Sequence, residues 1–364
     1  MAGRIELSAL LSQALVAFTI ELDNEFEHLM PHRTNGHDKT GAADGAPLLV
    51  SMVRWCNCMR LLRPEGMTVA ELEHLARTRT NLAGMQRWGY LVVEAERSAG
   101  SRTLPADLVV RPTPAGRKAQ FVWGPLPRLI EDRWRLRFGQ DTVERLRRTL
   151  WAIVGKIETA LPNCMPILRQ GWSTNVTAGD GSVPRNGSDL LLSALLARSL
   201  LAFAVPFERR ADLSLAMSAN VVRVLSSEFL RVRDIPRTAG VATDAVRHAL
   251  GYLDTGGYVE LKTDLRAGRG HLVRLTEKGR NAQSTYRRLV GGIELRWRDR
   301  FGSEAIDELR ETLELLAVPT ADGRPPLFAG IEPYPDGWRA ACRGRQHLPH
   351  FPVVLGRGGF PDGA

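Results

Sequence analysis

Residues 234–280 decide the fold, and they read DIPRTAGVATDAVRHALGYLDTGGYVELKTDLRAGRGHLVRLTEKGR. Residues 234–239 predict a short helix, and the glycine that follows predicts a turn. A second helix comes next, and Thr243 is its candidate N-cap because a threonine hydroxyl accepts hydrogen bonds from free backbone amides. The apolar residues of this helix recur at the spacing of one buried stripe, and they are Val246, Leu250 and Leu253.

A two-stranded hairpin is predicted directly after these helices. The second helix ends at Gly256 and Gly257, and glycines are typical of a helix C-terminus. Residues 258–261 alternate in polarity as a strand does, and residues 271–275 form the returning strand. The tip between the strands is basic and rich in glycine, and another helix begins at Thr276. Helix, turn, helix and hairpin in this order predict a winged helix-turn-helix, in which the hairpin is the wing.

The second helix and the wing carry the candidate DNA contacts. A helix in this position fits the major groove, where its exposed side chains meet base edges. The outward positions are Thr243, Asp244, Arg247 and His248. Arg266 and Arg269 at the wing tip are expected to reach phosphates or the minor groove. A plainer interpretation stays open, because wing arginines are solvated loop charges in many proteins and His248 fits an ordinary, partly exposed helix position.

The same stretch resembles the MarR family of transcriptional regulators. The resemblance lies in residues 235–259 and in RLTEKGR at residues 274–280, where the family has a Leu-Thr-x-x-Gly-Arg segment after the wing. It implies a DNA contact by the arginine nearest the wing tip, here Arg266 or Arg269. It also implies dimerisation through the terminal helices and a small aromatic or amphipathic effector bound near the junction with the DNA-binding part.

The unit occurs twice in the chain. RWRLRFG at residues 133–139 returns as RWRDRFG at residues 296–302, which is 163 residues later. A period of this length indicates a duplicated domain. We therefore expect a mainly α fold with small β-hairpin wings (α+β), in which two tandem winged helix-turn-helix domains pack through their terminal helices as an intramolecular pseudo-dimer. The expected division is a first repeat at 1–156, a linker at 157–188, a second repeat at 189–316 and a C-terminal extension at 317–364.

The first repeat departs from the pattern at its reading helix, which is the second helix of the motif and the one expected to lie in the major groove. Residues 68–76 predict a good first helix of the motif, but residues 77–88 leave little room for a turn and a reading helix. The wing at residues 97–102 is longer than its counterpart. The candidate DNA-contacting residues of this repeat are Arg77, Arg79, Thr80, Asn81, Gln86, Arg97 and Arg102. We expect the DNA-binding unit of the first repeat, its reader, to be divergent, to differ in specificity from that of the second repeat, or to be inactive.

Two aromatic pairs lie at helical spacing in the helices that follow each wing, which we call the arms. Trp134 with Phe138, and Trp297 with Phe301, are four residues apart and share one helix face. We expect them to pack in the core or at the interface between the repeats. A pocket for an effector lined by these four residues is the alternative, and packing and lining can overlap.

Composition limits the remaining classes of protein. The formal net charge is +9, which favours an anionic partner, and the four cysteines are too few for a disulfide framework. Buried thiols in a reduced, cytoplasmic protein are expected. No phosphate-binding loop, dinucleotide fingerprint or zinc spacing occurs, so neither an enzyme nor a bound cofactor or metal is expected. No apolar run is long enough to cross a membrane.

Two functions from different classes remain. The first is a sequence-specific regulator of transcription that binds double-stranded DNA as a monomeric pseudo-dimer or a homodimer, under the control of a small-molecule effector. The second is a winged-helix module that binds a ligand or a protein and has lost DNA binding in one or both repeats. The shortened first reading helix favours the second function.

Overall fold

The computed structural model describes residues 4–30, 55–80, 82–94, 108–165, 190–264, 270–320, 323–337, 339–340, 347–353 and 360–363. These residues are mainly helical and include two small antiparallel sheets of three strands each, as the predicted α+β class requires. Within these ranges, none of the helices combines the length and the apolar character that a bilayer crossing needs.

The first half of the structure runs from residue 4 to residue 165. Its elements are α1 (Leu7–Leu29), β1 (Met67–Thr68), α2 (Val69–Ala76), α3 (Leu82–Arg87), β2 (Leu91–Glu94), β3 (Val109–Pro112), α4 (Pro114–Trp123), α5 (Leu126–Phe138) and α6 (Gln140–Val154). The strand order in its sheet is β1-β3-β2.

The second half, residues 190–317, has a similar but not identical order of elements. Its elements are α7 (Leu192–Glu208), α8 (Leu215–Val222), β4 (Leu230–Arg231), a 3-10 turn (Val232–Asp234), α9 (Ile235–Ala239), α10 (Thr243–Thr255), β5 (Val259–Asp264), β6 (Gly270–Leu275), α11 (Glu277–Phe301) and α12 (Ser303–Ala317). A 3-10 turn at Pro326–Ala329 follows. The strand order is β4-β6-β5.

The predicted hairpins gain a third strand that sequence patterning missed. In the second half, Leu230 pairs with Val273 and Arg231 pairs with Leu272, so β4 lies on the outer side of β6. In the first half, Met67 pairs with Val110 in the same way. A strand of two residues is too short to show alternation, and its pairing is set by tertiary structure.

The Thr-x-x-Gly-Arg segments join each sheet to the helix that follows it. The Thr276 hydroxyl accepts a hydrogen bond from the Gly279 amide at 3.1 Å and donates one to the Gly257 carbonyl at 2.8 Å. A Cβ on Gly279 would lie 2.0 Å from the Tyr258 carbonyl oxygen, so the helix start can lie against the strand only with glycine there.

The first half has the same junction. The Thr113 hydroxyl accepts from the Gly116 amide at 3.1 Å and donates to the Gly89 carbonyl at 2.6 Å. A Cβ on Gly116 would also lie 2.0 Å from a carbonyl oxygen, that of Tyr90. The shared sequence segment thus has one physical role in both halves.

The two halves contact each other through their first and last helices. Helix α1 packs on α7, α6 packs on α12, and each first helix also packs on the last helix of the other half. The buried residues of both halves form one continuous hydrophobic core. The first and last helices of both halves therefore contribute to this shared core.

Two arginines, one partly buried and one buried, make matched hydrogen bonds between the halves. Arg147 of α6 donates to the Leu190 carbonyl at 2.8 Å, just before the first helix of the second half. Arg310 of α12 donates to the Ile5 carbonyl at 2.7 Å, just before the first helix of the first half. Both arginines also bond a glutamate of their own half, Glu131 at 2.7 Å and Glu294 at 2.5 Å.

The residues after α12 return across both halves. Tyr334 donates to Glu25 of α1 at 2.5 Å, so the first part of this extension lies against the first half. Residues 347–353 and 360–363, which we call the C-terminal tail, bridge the two halves. In the tail, the Pro349 carbonyl accepts from Ser12 of α1 at 3.1 Å, and the Phe351 carbonyl accepts from Asn220 of α8 at 2.8 Å.

The three cysteines that the structure describes differ in their exposure. Cys58 is buried, whereas Cys56 and Cys164 are partly exposed. Cys342 lies outside the described residues.

Candidate nucleic-acid interface

Helix α10 presents one polar face to solvent. The predicted contact residues Thr243, Asp244, Arg247 and His248 are all exposed along it. The opposite face is buried against the rest of the second half, and its residues are Ala245, Val246, Ala249, Leu250 and Leu253. The helix is therefore anchored on one side and available to a partner along the other.

The N-terminus of α10 is held in a way that the sequence did not reveal. Thr243 was the expected N-cap, but the helix begins at that residue, and Ala242 occupies the N-cap position without a capping side chain. The Ala242 amide donates instead to the Asp362 carbonyl of the C-terminal tail at 2.9 Å. The Asp362 carboxylate is buried and accepts from Arg339 at 2.7 Å. The tail thus fixes the start of α10 from its buried side.

The turn before α10 is also closed by the tail. Gly240 has φ +72°, a left-handed conformation that favours glycine. A Cβ there would lie 3.0 Å from the His347 carbonyl oxygen, so tail and turn are in close contact. Neither contact covers the exposed side chains of α10.

Arg247 is paired on the surface of α10. Its guanidinium lies 2.8 Å from the Asp244 carboxylate, and both side chains are mostly exposed, at 72% and 63%. An exposed pair of this kind contributes about 0–1 kcal/mol, so a phosphate or a base edge can replace Asp244 at little cost.

The sheet beside α10 adds cations that sequence reasoning did not select. Arg231 lies 3.3 Å from Asp264, and Lys262 lies 3.6 Å from the centre of the Phe229 ring. Arg274 packs on the same ring and also pairs with Glu260 at 2.6 Å. Arg266 and Arg269, the predicted wing contacts, lie outside the described residues.

The corresponding helix in the first half is shorter. Helix α3 has 6 residues, whereas α10 has 13. Gln86 and the adjacent Arg87 are exposed on α3, and Arg79 is exposed before it. Thr80 is partly buried, and its amide donates to Glu73 at 3.3 Å. Asn81, Arg97 and Arg102 lie outside the described residues.

Arg77 is directed toward the interior. It closes α2 with φ +58°, an uncommon conformation for a residue other than glycine. Its guanidinium is partly buried and donates to the Leu161 carbonyl at 3.2 Å, in the chain that follows α6. This contact ties Arg77 to the chain after α6, apart from the exposed residues of α3.

The four aromatic residues on the arms pack in the core. Trp134 is 1% exposed and Trp297 and Phe301 are each 6% exposed, whereas Phe138 is partly buried. The ring centres of Trp134 and Phe138 are 5.2 Å apart, and those of Trp297 and Phe301 are 5.5 Å apart. The predicted core packing therefore agrees with the structure.

A cavity of about 360 Å³ lies elsewhere, where α7, α8 and α11 of the second half meet. Its lining includes Phe207, Ser218, Tyr258, Lys278, Asn281 and Tyr286. Aromatic walls with a few polar groups are typical of a site for a small organic molecule.

A scan against models of known protein families gives no match, and a search of the curated proteins gives none either. The functional interpretation therefore depends on the geometry of the chain itself.

Proposed function

We propose that this chain is a sequence-specific regulator of transcription that binds double-stranded DNA through two winged helix-turn-helix units of the MarR type. The observation that carries the proposal is α10, which follows a tight turn, adjoins a small sheet and exposes Thr243, Asp244, Arg247 and His248. Exposed polar residues on an anchored helix of this kind are what major-groove recognition requires.

The dimensions of α10 suit the groove. With 13 residues, α10 is about 20 Å long at 1.5 Å per residue, which is enough to lie along several base pairs. Arg247 is in its first half, near the N-terminal end that meets base edges in such units. An arginine there can donate two hydrogen bonds to a guanine.

The two units form an intramolecular pseudo-dimer in this proposal. The matched bonds of Arg147 to Leu190 and of Arg310 to Ile5 support it, because a two-fold interface uses each contact twice. One chain can then place two reading helices on one duplex.

The two readers are unequal. Helix α3 is less than half as long as α10, and Arg77 beside it is bonded to the chain after α6. We therefore propose that the second half carries most of the base recognition and that the first half adds weaker, asymmetric contacts.

The test is a selection of genomic DNA fragments by the purified full-length chain at low salt. The proposal predicts enriched fragments with a common asymmetric sequence, and log K for them should fall linearly with log salt as bound counterions are released. No duplex binding at low salt would contradict it.

Small-molecule control is a separate part of the proposal, and it is assigned to the cavity between α7, α8 and α11. Its aromatic walls, with Asp212, Glu277 and Lys278 among the polar lining residues, favour a small aromatic or amphipathic ligand. Replacement of Ala282 on its wall by Trp should abolish the fluorescence increase of anilinonaphthalene sulfonate that the wild-type chain gives. An equal increase in the variant would place the ligand elsewhere.

The competing function is a winged-helix module that binds a ligand or a partner protein and has lost DNA binding in one or both repeats. The six-residue α3 favours it, because a reader this short has little surface for a groove. A failed DNA selection, together with a retained cavity ligand, would favour this second function.

A further inference from the structure

Residues 161–165, which follow α6, are held at a junction between the halves. Three side chains donate hydrogen bonds to this segment, from the chain before β1, from the turn before α3 and from α7. They are Asn57 to the Met165 carbonyl at 3.2 Å, Arg77 to the Leu161 carbonyl at 3.2 Å, and Arg198 to the Asn163 side-chain oxygen at 2.8 Å.

Two cysteines meet at this junction. Cys56 precedes Asn57 and Cys164 precedes Met165, so the hydrogen bond from Asn57 to Met165 brings the two cysteines to the same part of the junction. Each thiol shifts the pKa of the other, so the two sulfur atoms lie close together. Both residues are partly exposed, whereas Cys58 is buried.

The surroundings of the pair are electropositive. Arg60 is close enough for its charge to act on both cysteines. Arg198 is 4% exposed, and burial lowers its pKa to about 10, with a further contribution from the positive charges of Arg77 and Arg60. Nearby positive charge stabilises a thiolate, which is the reactive form of cysteine.

The cysteines differ in their readiness to ionise. The hydrogen bond from Cys164 lowers the pKa of Cys56, and the charge of Arg60 acts in the same direction against the effect of burial. Burial alone raises the pKa of Cys58 to about 12. Cys58 therefore serves as an internal reference for an inert thiol.

We propose that Cys56 and Cys164 are an oxidation site at which a hydroperoxide converts two thiols into one disulfide. The Cys56 thiolate attacks a peroxide oxygen, the O–O bond breaks, and an alcohol or water leaves after taking up a proton. The Cys164 sulfur then attacks the resulting sulfenic acid, the S–O bond breaks and water leaves. The two thiols are oxidised, and one hydroperoxide is reduced to one alcohol and one water.

The disulfide would tie residues 161–165 covalently to the chain before β1. Because Arg77 and Arg198 hold the same segment, the bond would fix the junction that joins the turn before α3 to the second half. This inference concerns thiol chemistry and does not depend on DNA binding.

The experiment is peroxide treatment of the reduced full-length chain, followed by alkylation and peptide mapping without reductant. We expect a linked peptide that contains Cys56 and Cys164, together with the loss of two hydrogen atoms and reversal by a thiol reductant. Cys164→Ser should abolish this peptide and leave a Cys56 sulfenic acid that a cyclic diketone traps. The control Cys342→Ser should leave the linked peptide unchanged.

The rate of disulfide formation tests whether the charge of Arg60 activates the thiol or whether Arg60 only supports the local structure. Arg60→Gln should slow disulfide formation roughly threefold to tenfold at pH 7 and much less near pH 10, where the thiolate forms without help. Three results would overturn the proposal. They are overoxidation of Cys56 with no linked peptide, preferential linkage to Cys58 or Cys342, and an equal slowing at both pH values.

Discussion

Arg247 is the residue on which the proposed base recognition depends most. Its side chain is 72% exposed on α10, and its ion-pair partner among the described residues is Asp244. Replacing it by glutamine removes one charge and a bidentate donor, and should cost about 1–3 kcal/mol at the preferred sequence. Binding to other sequences should weaken much less, so the base preference should become broader.

The matched control for this change is Arg128→Gln, which removes the same charge from an exposed position on α5. Fluorescence anisotropy with the selected duplex and with a scrambled duplex measures both effects. Equal losses on the two duplexes, or equal losses in the two variants, would show that Arg247 acts only through general charge.

Gly279 governs how the second sheet is joined to its long helix. In Gly279→Ala the new Cβ would lie 2.0 Å from the Tyr258 carbonyl oxygen, and that oxygen belongs to backbone that cannot move alone. Overpacking of this kind should lower the free energy of unfolding by about 1–3 kcal/mol.

Gly291 provides the control within the same helix. A Cβ there meets nothing within 4 Å, so Gly291→Ala should raise the free energy of unfolding by up to about 1 kcal/mol through helix propensity. Urea denaturation followed by circular dichroism measures both. If the two variants have the same stability, the close approach at Gly279 has no energetic role.

At the scale of single helices and strands, sequence patterns are informative where the feature depends on residues of one element alone. The apolar spacing of Val246, Leu250 and Leu253 correctly gave the buried face of α10. It gave no sign of β4, because pairing of two residues depends on β6. The bond from Ala242 to Asp362 was equally hidden, since those residues are far apart in sequence and the contact exists only after the tail has docked.

The interface between the halves is tested by Arg310. This arginine is 3% exposed and holds both Glu294 and the Ile5 carbonyl of the first half. In Arg310→Met, a mostly buried carboxylate loses its partner, which should cost about 3 kcal/mol. Because the halves share one core, calorimetry should still show one transition at a lower temperature.

Arg148→Met is the control, since Arg148 joins the halves through Glu308 but is 66% exposed. Its loss should cost about 0–1 kcal/mol. Two separate transitions in the wild-type chain, or equal costs in the two variants, would contradict an interface held by buried contacts.

The most direct measurement for the whole molecule is hydroxyl-radical footprinting of the full-length chain on a duplex from the genomic selection, at known stoichiometry. Two unlike readers in one chain predict a complex of one chain with one duplex and two protected segments of unequal strength. The centres of these segments should be separated by about 34 Å, or one helical turn, or by a multiple of it. A duplex without protection, or a symmetric footprint that requires two chains, would contradict the proposal.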